Sequence, residues 1–536
     1  MGKKKNQYYG GKQNRAEKES FFGAVWEQAV QIYLFLMLAV YPLFMGRGYE
    51  ELVYKKWALF LYASSAFCIV STVCGAAALA GRRGRTDRKK GSERCAGGRT
   101  VTDWFVFIYL LCVVISYLGA VDSQTAFWGV DTWYMGLVSQ VLFVGIYFGI
   151  SRGYAENRYM KILAAAVAVI VGSIVILQRF DIDVVYLYQG YSDEVKLDFV
   201  TTLGQVTWAS SYISILLTAG MGIYYLTEEK KAKIFWGICV GAGFASEMLL
   251  NSDSGMIAVF AALMVMLWLA VGSRKRLLAL AEIGMIALTA VAAVGILERI
   301  FGGRMIPIDA VYLKAAQSVM VYVLLAIAAV FHLAIRKDWL HGDAKQGTVR
   351  LVRGIYILLV CLGIVGMSAL FILHGKGYFG GSPTENYFRF TIWWGNSRGF
   401  IWRTGAAVFA DFNVWRKLFG CGPDCFTPYS YQMMGDAINE FWHNQIVPNV
   451  HNEWFNGVIN YGIVGGAAYL GIFLSSAYGL IKAALKGKGA VVFGIGLAAA
   501  AYIAHNVLCY QQIIGTPLIF ILLGIGAAKV RAAALD

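Results

Sequence analysis

The chain has 536 residues, of which 58% are hydrophobic and only 15% are charged, and its mean hydropathy is +0.58. Soluble domains carry about a quarter charged residues, so this composition excludes an ordinary soluble protein. The net charge of +15 is no evidence for nucleic-acid binding, because the Lys and Arg residues lie in short clusters between apolar stretches.

The apolar stretches predict an all-α fold, a polytopic integral membrane helical bundle of about 12–14 transmembrane helices. Residues 106–115 and 257–271 are apolar on every face, which excludes the alternating pattern of a β-barrel. The predicted spans lie near residues 28–45, 57–80, 104–120, 134–151, 161–178, 200–226, 234–251, 255–272, 277–298, 313–335, 354–374, 454–481, 490–508 and 514–530.

The distribution of basic residues predicts the orientation in the cell membrane. Most of the 47 Lys and Arg residues fall in the segments that would be cytoplasmic if the N-terminus is inside, so the positive-inside rule places both termini in the cytoplasm. We therefore predict a cytoplasmic basic segment at 1–27, a helix bundle at 28–374, a large extracytoplasmic loop with short helices at 375–453, and C-terminal helices with a short cytoplasmic tail at 454–536.

The first part of the predicted loop is rich in cations and aromatic rings. They are Arg389, Trp393, Trp394, Arg398, Trp402 and Arg403. This combination suits an anionic, sugar-bearing ligand at the membrane interface, and the planar fork of Arg398 matches the oxygens of a pyrophosphate. The alternative is membrane anchoring, which applies above all to Trp393, Trp394 and Arg403.

The loop ends at a histidine placed to act as a base. His451 directly precedes Asn452 and Glu453 at the start of a predicted helix. A neutral imidazole can take a proton from an acceptor hydroxyl, and a carboxylate at Glu453 would orient it or raise its pKa. The alternative is that His451 only caps the helix, and His443 is a weaker competitor for the catalytic role.

Two further groups of residues have open interpretations. Cys421 and Cys425, in the stretch 420–425, would form a disulfide or remain free thiols. Five polar side chains within predicted helices would contact substrate or form interhelical hydrogen bonds. They are Gln140, Gln205, Glu247, His332 and His505.

Several of these residues occur together in a pattern that resembles the O-antigen ligase and polymerase family. The strongest elements are the Arg398–Trp402 pair, the turn 420–422, the His451-Asn452 pair and the stretch 460–465. Weaker similarities lie at 126–137, 201–205 and 251–255, so the resemblance spans most of the chain. It departs from the family at Ser254 and Trp133, where members often have basic residues.

The resemblance implies transfer or polymerisation of a glycan from an undecaprenyl-pyrophosphate carrier onto an acceptor hydroxyl outside the membrane, in cell-surface polysaccharide biosynthesis. It implies no metal and no cofactor. His451 would be the base and Arg398 the anion-stabilising residue, with Arg403, Arg389, Asn452, Glu453 and Trp402 in substrate binding. Arg389, Arg403 or Arg179 would replace the second family arginine.

The partners expected from this resemblance are the lipid-linked donor glycan, a glycan or lipid-linked acceptor and membrane lipids, but no nucleic acid. The alternative functions are a polytopic transporter or lipid-linked oligosaccharide flippase, and a receptor or scaffold. A transporter would show paired halves with broken helices and midplane charges, which the sequence does not show. The pattern leaves ligase and polymerase equally open.

Overall fold

A computed structural model of the chain describes residues 21–82, 98–306, 310–337, 339, 346–382 and 385–532. Most of the predicted N-terminal basic segment and the end of the predicted tail lie outside these residues. The described residues are mostly helical. Two strands of two residues each form an antiparallel pair, in which Phe199 lies opposite Gln205 and Val200 lies opposite Gly204.

The helices are numbered in chain order. The first eleven are α1 Phe21–Leu43, α2 Gly48–Arg82, α3 Val101–Leu118, α4 Ser123–Trp128, α5 Leu137–Gly153, α6 Arg158–Arg179, α7 Asp193–Asp198, α8 Val206–Leu226, α9 Lys230–Leu250, α10 Asp253–Ala270 and α11 Arg274–Phe301. The others are α12 Ala310–Gln317, α13 Val319–Arg336, α14 Gln346–Gly375, α15 Glu385–Phe388, α16 Trp394–Asp411, α17 Val414–Phe419, α18 Phe426–Trp442, α19 Glu453–Ala483, α20 Ala490–His505 and α21 Gly515–Ala532. The strands are β1 Phe199–Val200 and β2 Gly204–Gln205.

The prediction of an all-α polytopic membrane protein is confirmed. Within the described residues, 12 helices are long and apolar enough to span a membrane, and α5 and α20 are shorter apolar helices. Each predicted span overlaps one of these 14 helices. Two boundaries were wrong: residues 199–205 form strands and a turn before α8, and Ser318 separates α12 from α13.

The helices with the largest share of buried residues are α8 and α21, whereas none of the residues in the apolar stretch of α14 is buried. Small residues bring the inner helices close together, as expected where no hydrophobic force drives helices together in lipid. A Cβ added at Gly222 of α8 would lie 2.6 Å from the Cα of Gly494 on α20. The bundle therefore has a dense centre and an apolar outer surface.

The long helix α19 is broken at Gly462, whose φ of 71° and ψ of 178° are not helical. The break releases backbone carbonyls that a continuous helix would use internally. Two of them accept hydrogen bonds from the turn after α17: the amide of Cys421 donates to Ile459 at 3.1 Å, and that of Gly422 donates to Asn460 at 3.3 Å. The turn thus replaces the missing helical hydrogen bonds.

The same contact fixes neighbouring segments. Ser116 of α3 donates its hydroxyl to the Asn460 carbonyl at 2.5 Å and accepts from the Gly422 amide at 3.0 Å. The buried carboxylate of Asp424 accepts from the Val130 amide at 2.8 Å and from the Met135 amide at 3.3 Å. The loop before α5 is thereby held against the turn 420–424.

Gly462→Ala is expected to destabilise the protein. A Cβ at this position would overlap the Leu418 carbonyl, and the backbone conformation alone costs a residue with a side chain about 1–3 kcal/mol. Gly479→Ala, in the same helix with open space around its Cα, is the matched control and is expected to be neutral or stabilising. Thermal unfolding in detergent measures both, and equal melting temperatures would contradict the proposed role of the break.

Candidate functional site

His451 lies in a turn immediately before α19 and has a left-handed backbone with a φ of 51°. Its amide donates to Asn449 Oδ1 at 2.9 Å, and its ring Nδ1 lies 3.3 Å from the Asn449 carbonyl oxygen. Because a carbonyl can only accept, the contact requires the proton on Nδ1. The lone pair therefore resides on Nε2, the atom that a base would use.

Asn452 caps the N-terminus of α19, so the interpretation that His451 is the cap was wrong. The side-chain oxygen of Asn452 accepts from the Phe455 amide at 3.0 Å, which satisfies a free donor of the first helical turn. This position fixes the direction of α19 directly beside His451.

Glu453 does not orient the imidazole. Its carboxylate is buried within the bundle and accepts hydrogen bonds from the Tyr469 hydroxyl at 2.6 Å and the Tyr502 hydroxyl at 2.9 Å. Its amide donates to the Asn506 carbonyl at 2.9 Å. The expected pairing with His451 was therefore wrong, and the structure gives Glu453 a role in joining α19 to α20.

Arg398 is held across the start of α16. Its guanidinium donates to the Gly395 carbonyl at 2.8 Å and to the Leu508 carbonyl at 3.0 Å. The preceding residues 395–397 have positive φ angles, which break the helix and turn this side chain toward the segment after α20.

Two of the buried donors that have no hydrogen-bond partner in the described part of the chain belong to this helix: Nε of Arg398 and the indole Nε1 of Trp402. They lie four residues apart, on the same face of α16. Buried donors are normally satisfied, so this face has unused capacity to bind an acceptor such as a phosphate oxygen.

The segment between α20 and α21 brings Arg398 and His451 together. Leu508 accepts from Arg398, and two residues later the Tyr510 ring packs edge-on against the His451 ring at a centroid distance of 4.9 Å. The Tyr510 hydroxyl donates to Gln205 at 2.7 Å and accepts from the indole of Trp208 at 3.2 Å. The weakly similar segment 201–205 therefore supports the same site.

This arrangement lowers the pKa of the His451 imidazole. Burial, together with the positive charge of Arg398, lowers the pKa of His451 from 6.5 to about 4, and the hydrogen bond with Asn449 opposes the shift only weakly. The side chain is consequently neutral at pH 7 and retains its basic lone pair.

The other predicted arginines have local partners. Arg403 is exposed, donates to the Phe390 carbonyl at 3.2 Å and lies over the Phe390 ring. Arg389 forms an exposed ion pair with Glu385. Arg179 is fully buried and its guanidinium donates to three backbone carbonyls. The expectation that Arg179 replaces the second family arginine is therefore wrong.

The structure also shows the surroundings of the two loop cysteines and of the five polar side chains that were predicted to lie within helices. Cys421 and Cys425 are both buried, free thiols. Gln140 forms interhelical hydrogen bonds with Tyr109 and Gln511. The other four groups also have protein partners: Gln205, which lies in β2 and not in a helix, with Tyr510, Glu247 with Ser210, His332 with Glu282, and His505 with Ser254. Within the described residues, no group of three or more His, Cys, Asp or Glu side chains is arranged to hold a metal ion.

Sequence reasoning missed the segment 506–512, and above all Tyr510. A usable signal was present, because the polar pair Gln511 and Gln512 follows Tyr510 between two apolar helices. The hydroxyls of Tyr469 and Tyr502 were also missed, because a tyrosine on an apolar helix face gives no indication of its hydrogen-bond partner.

Glu453→Ala is expected to lower the melting temperature, because it removes the carboxylate that accepts from the buried hydroxyls of Tyr469 and Tyr502 and leaves that of Tyr469 without its acceptor. Unsatisfied buried groups cost about 1–3 kcal/mol each. Glu440→Ala, which removes an exposed glutamate from α18, is the control and should leave the melting temperature unchanged. If both variants melted like the wild type, the structural role of Glu453 would be refuted.

Comparisons with known proteins give no family assignment: the chain matches no protein-family model and no curated protein.

Proposed function

We propose that the protein transfers a glycan from a polyprenyl-pyrophosphate carrier to a hydroxyl of an acceptor, on the extracytoplasmic face of the membrane. One observation carries the proposal: a cationic donor group, Arg398, and a neutral imidazole, His451, are both held on the segment 508–510. A displacement of pyrophosphate by a hydroxyl needs these two opposite functions side by side.

The proposed step is a single displacement at the anomeric carbon. His451 Nε2 takes the proton of the acceptor hydroxyl while the acceptor oxygen forms a bond to the anomeric carbon. The bond from that carbon to the pyrophosphate oxygen breaks, and its electron pair leaves with the lipid pyrophosphate. Arg398, assisted by the free indole donor of Trp402, stabilises the charge that develops on the leaving group.

Binding the lipid and the acceptor in one site also removes much of the entropic barrier. The distribution of basic residues supports an outer location, because the segments assigned to the cytoplasm hold most of the Lys and Arg residues.

The donor class rests on the resemblance to O-antigen ligases and polymerases. Its support in the structure is that the similar segments contact one another. The turn 420–422 binds the broken helix at Ile459 and Asn460, and Gln205 is hydrogen-bonded to Tyr510 beside His451. Residues that are distant in sequence thus meet around one site.

Reconstitution with a polyprenyl-pyrophosphate glycan and an acceptor tests the proposal. His451→Ala is expected to lower kcat about 10²–10⁴-fold by loss of the base, and Arg398→Ala about 10²–10³-fold by loss of charge stabilisation. Arg416→Ala, which removes another arginine from the same region, is the control and should retain activity. Wild-type rates in both site variants would refute the site, and equal activity with soluble nucleotide sugars would refute the donor class.

The pH dependence of kcat/KM provides a separate test. The base acts when neutral, so activity should be lost as the pH falls through the pKa of free-enzyme His451, which is about 4, rather than near 6.5. In Arg398→Gln the residual activity should show its acid limb at higher pH, because the repelling charge is gone. An acid limb near 6.5 in the wild type would contradict the described environment of His451.

A further inference from the structure

A second, open groove lies beside the site described above. Its volume is about 530 Å³, and it runs between the segment 122–131 on one side and Thr427, Tyr431 and Ile446 on the other. The groove contains neither Arg398 nor His451, so the proposed displacement does not account for it.

One wall of the groove is a fixed aromatic surface. Trp128 is 44% exposed, although its ring packs edge-on against Phe127 at 4.9 Å and against Trp57 at 6.2 Å. Trp57 is in turn stacked on Tyr134 at 4.2 Å. An exposed indole held by two other rings, one of them stacked on a third, is ordered before any ligand arrives, which lowers the entropic cost of binding.

The rim of the groove carries oriented acceptors. Asp131 is exposed, and its Oδ1 accepts from the Thr132 amide at 3.0 Å and from the Tyr134 hydroxyl at 2.8 Å. Asp122 caps α4 by accepting from the Thr125 amide at 2.6 Å, which holds the pKa of its carboxyl below the usual range. Both carboxylates are therefore fixed in position.

This combination matches a sugar ring. A pyranose has an apolar C–H face, which an indole can cover, and an edge of hydroxyls, which carboxylates and amides can bind. The residues that line the groove include two aspartates but no lysine or arginine. The groove therefore favours neutral or amine-bearing sugars over carboxylated or phosphorylated ones, and an ammonium group would also be attracted to the indole face.

The groove lies within reach of the proposed base. The hydroxyl of Thr427, on its wall, donates to the Pro448 carbonyl at 3.1 Å. Pro448 precedes His451 by three residues, which span at most about 11 Å. A glycan seated in the groove can therefore extend a terminal hydroxyl to the imidazole within a few sugar units.

We infer that this groove is a carbohydrate-binding subsite that holds the acceptor as a neutral or amine-bearing glycan stacked on Trp128. The assignment of the glycan as acceptor rests on the proposed function. The cationic surface around Arg398 and the acidic groove then separate the two substrates by charge, with the anionic pyrophosphate donor on one side and the neutral or amine-bearing acceptor on the other.

Binding of glycans to the full-length protein in detergent tests this inference without requiring turnover. The probe is an array of neutral, amine-bearing and uronic-acid oligosaccharides, followed by calorimetry with the strongest ligand. We expect binding to the first two classes, about tenfold weaker binding in Trp128→Ala, and recovery of most of the affinity in Trp128→Phe. Trp415→Ala, which removes an exposed tryptophan outside the groove, should bind like the wild type.

Absence of glycan binding, a preference for uronic-acid glycans, or unchanged affinity in Trp128→Ala would each overturn the subsite. The transfer assay is independent of this result. If glycans bound through Trp128 but the reconstituted wild type transferred no sugar, the proposed function would fail and the carbohydrate subsite would stand. If the wild type transferred sugar but glycan binding did not depend on Trp128, the carbohydrate subsite would fail and the proposed function would stand.

Discussion

The position of the site depends on which groups form hydrogen bonds with the backbone carbonyls that the break in α19 releases. A helix that loses its internal hydrogen bonds within a bundle must find other partners, because lipid offers none. Here the amides of Cys421 and Gly422 take the carbonyls released before Gly462, and only glycine can adopt the conformation at that position without overlapping Leu418. His451 directly precedes α19, so the contact that holds the broken helix against the turn also helps to position this residue.

The electrostatics of the site follow from the same packing. The segment after α20 contacts Arg398 with one carbonyl and His451 with the ring of Tyr510. Burial, together with the positive charge of Arg398, keeps the imidazole neutral, which suits a base better than an acid. When an anionic leaving group neutralises Arg398, the repulsion falls and the imidazole becomes more basic, so binding of the donor would prepare the base for its task.

The sequence predicted the helices well, because long apolar stretches admit few other structures. It also led to the prediction that His451 and Arg398 act together, and the structure holds both residues against the segment 508–510. It failed for Glu453, whose proximity to His451 in the chain suggested a pairing that the helix start rules out: the carboxylate points into the bundle toward two tyrosines. Tyr510 was missed because its importance arises from contacts with segments hundreds of residues away, and local patterns do not encode such contacts.

In the proposed mechanism, Arg398 and His451 perform one direct displacement at the anomeric carbon, with no glycosyl intermediate on the protein. The most direct measurement is the anomeric configuration of the new linkage, determined by NMR on the product that the purified protein forms from a donor of defined configuration. The proposed mechanism predicts inversion relative to the lipid-linked donor. Retention of configuration would contradict it, because retention requires a second displacement that this site, as described, is not arranged to perform.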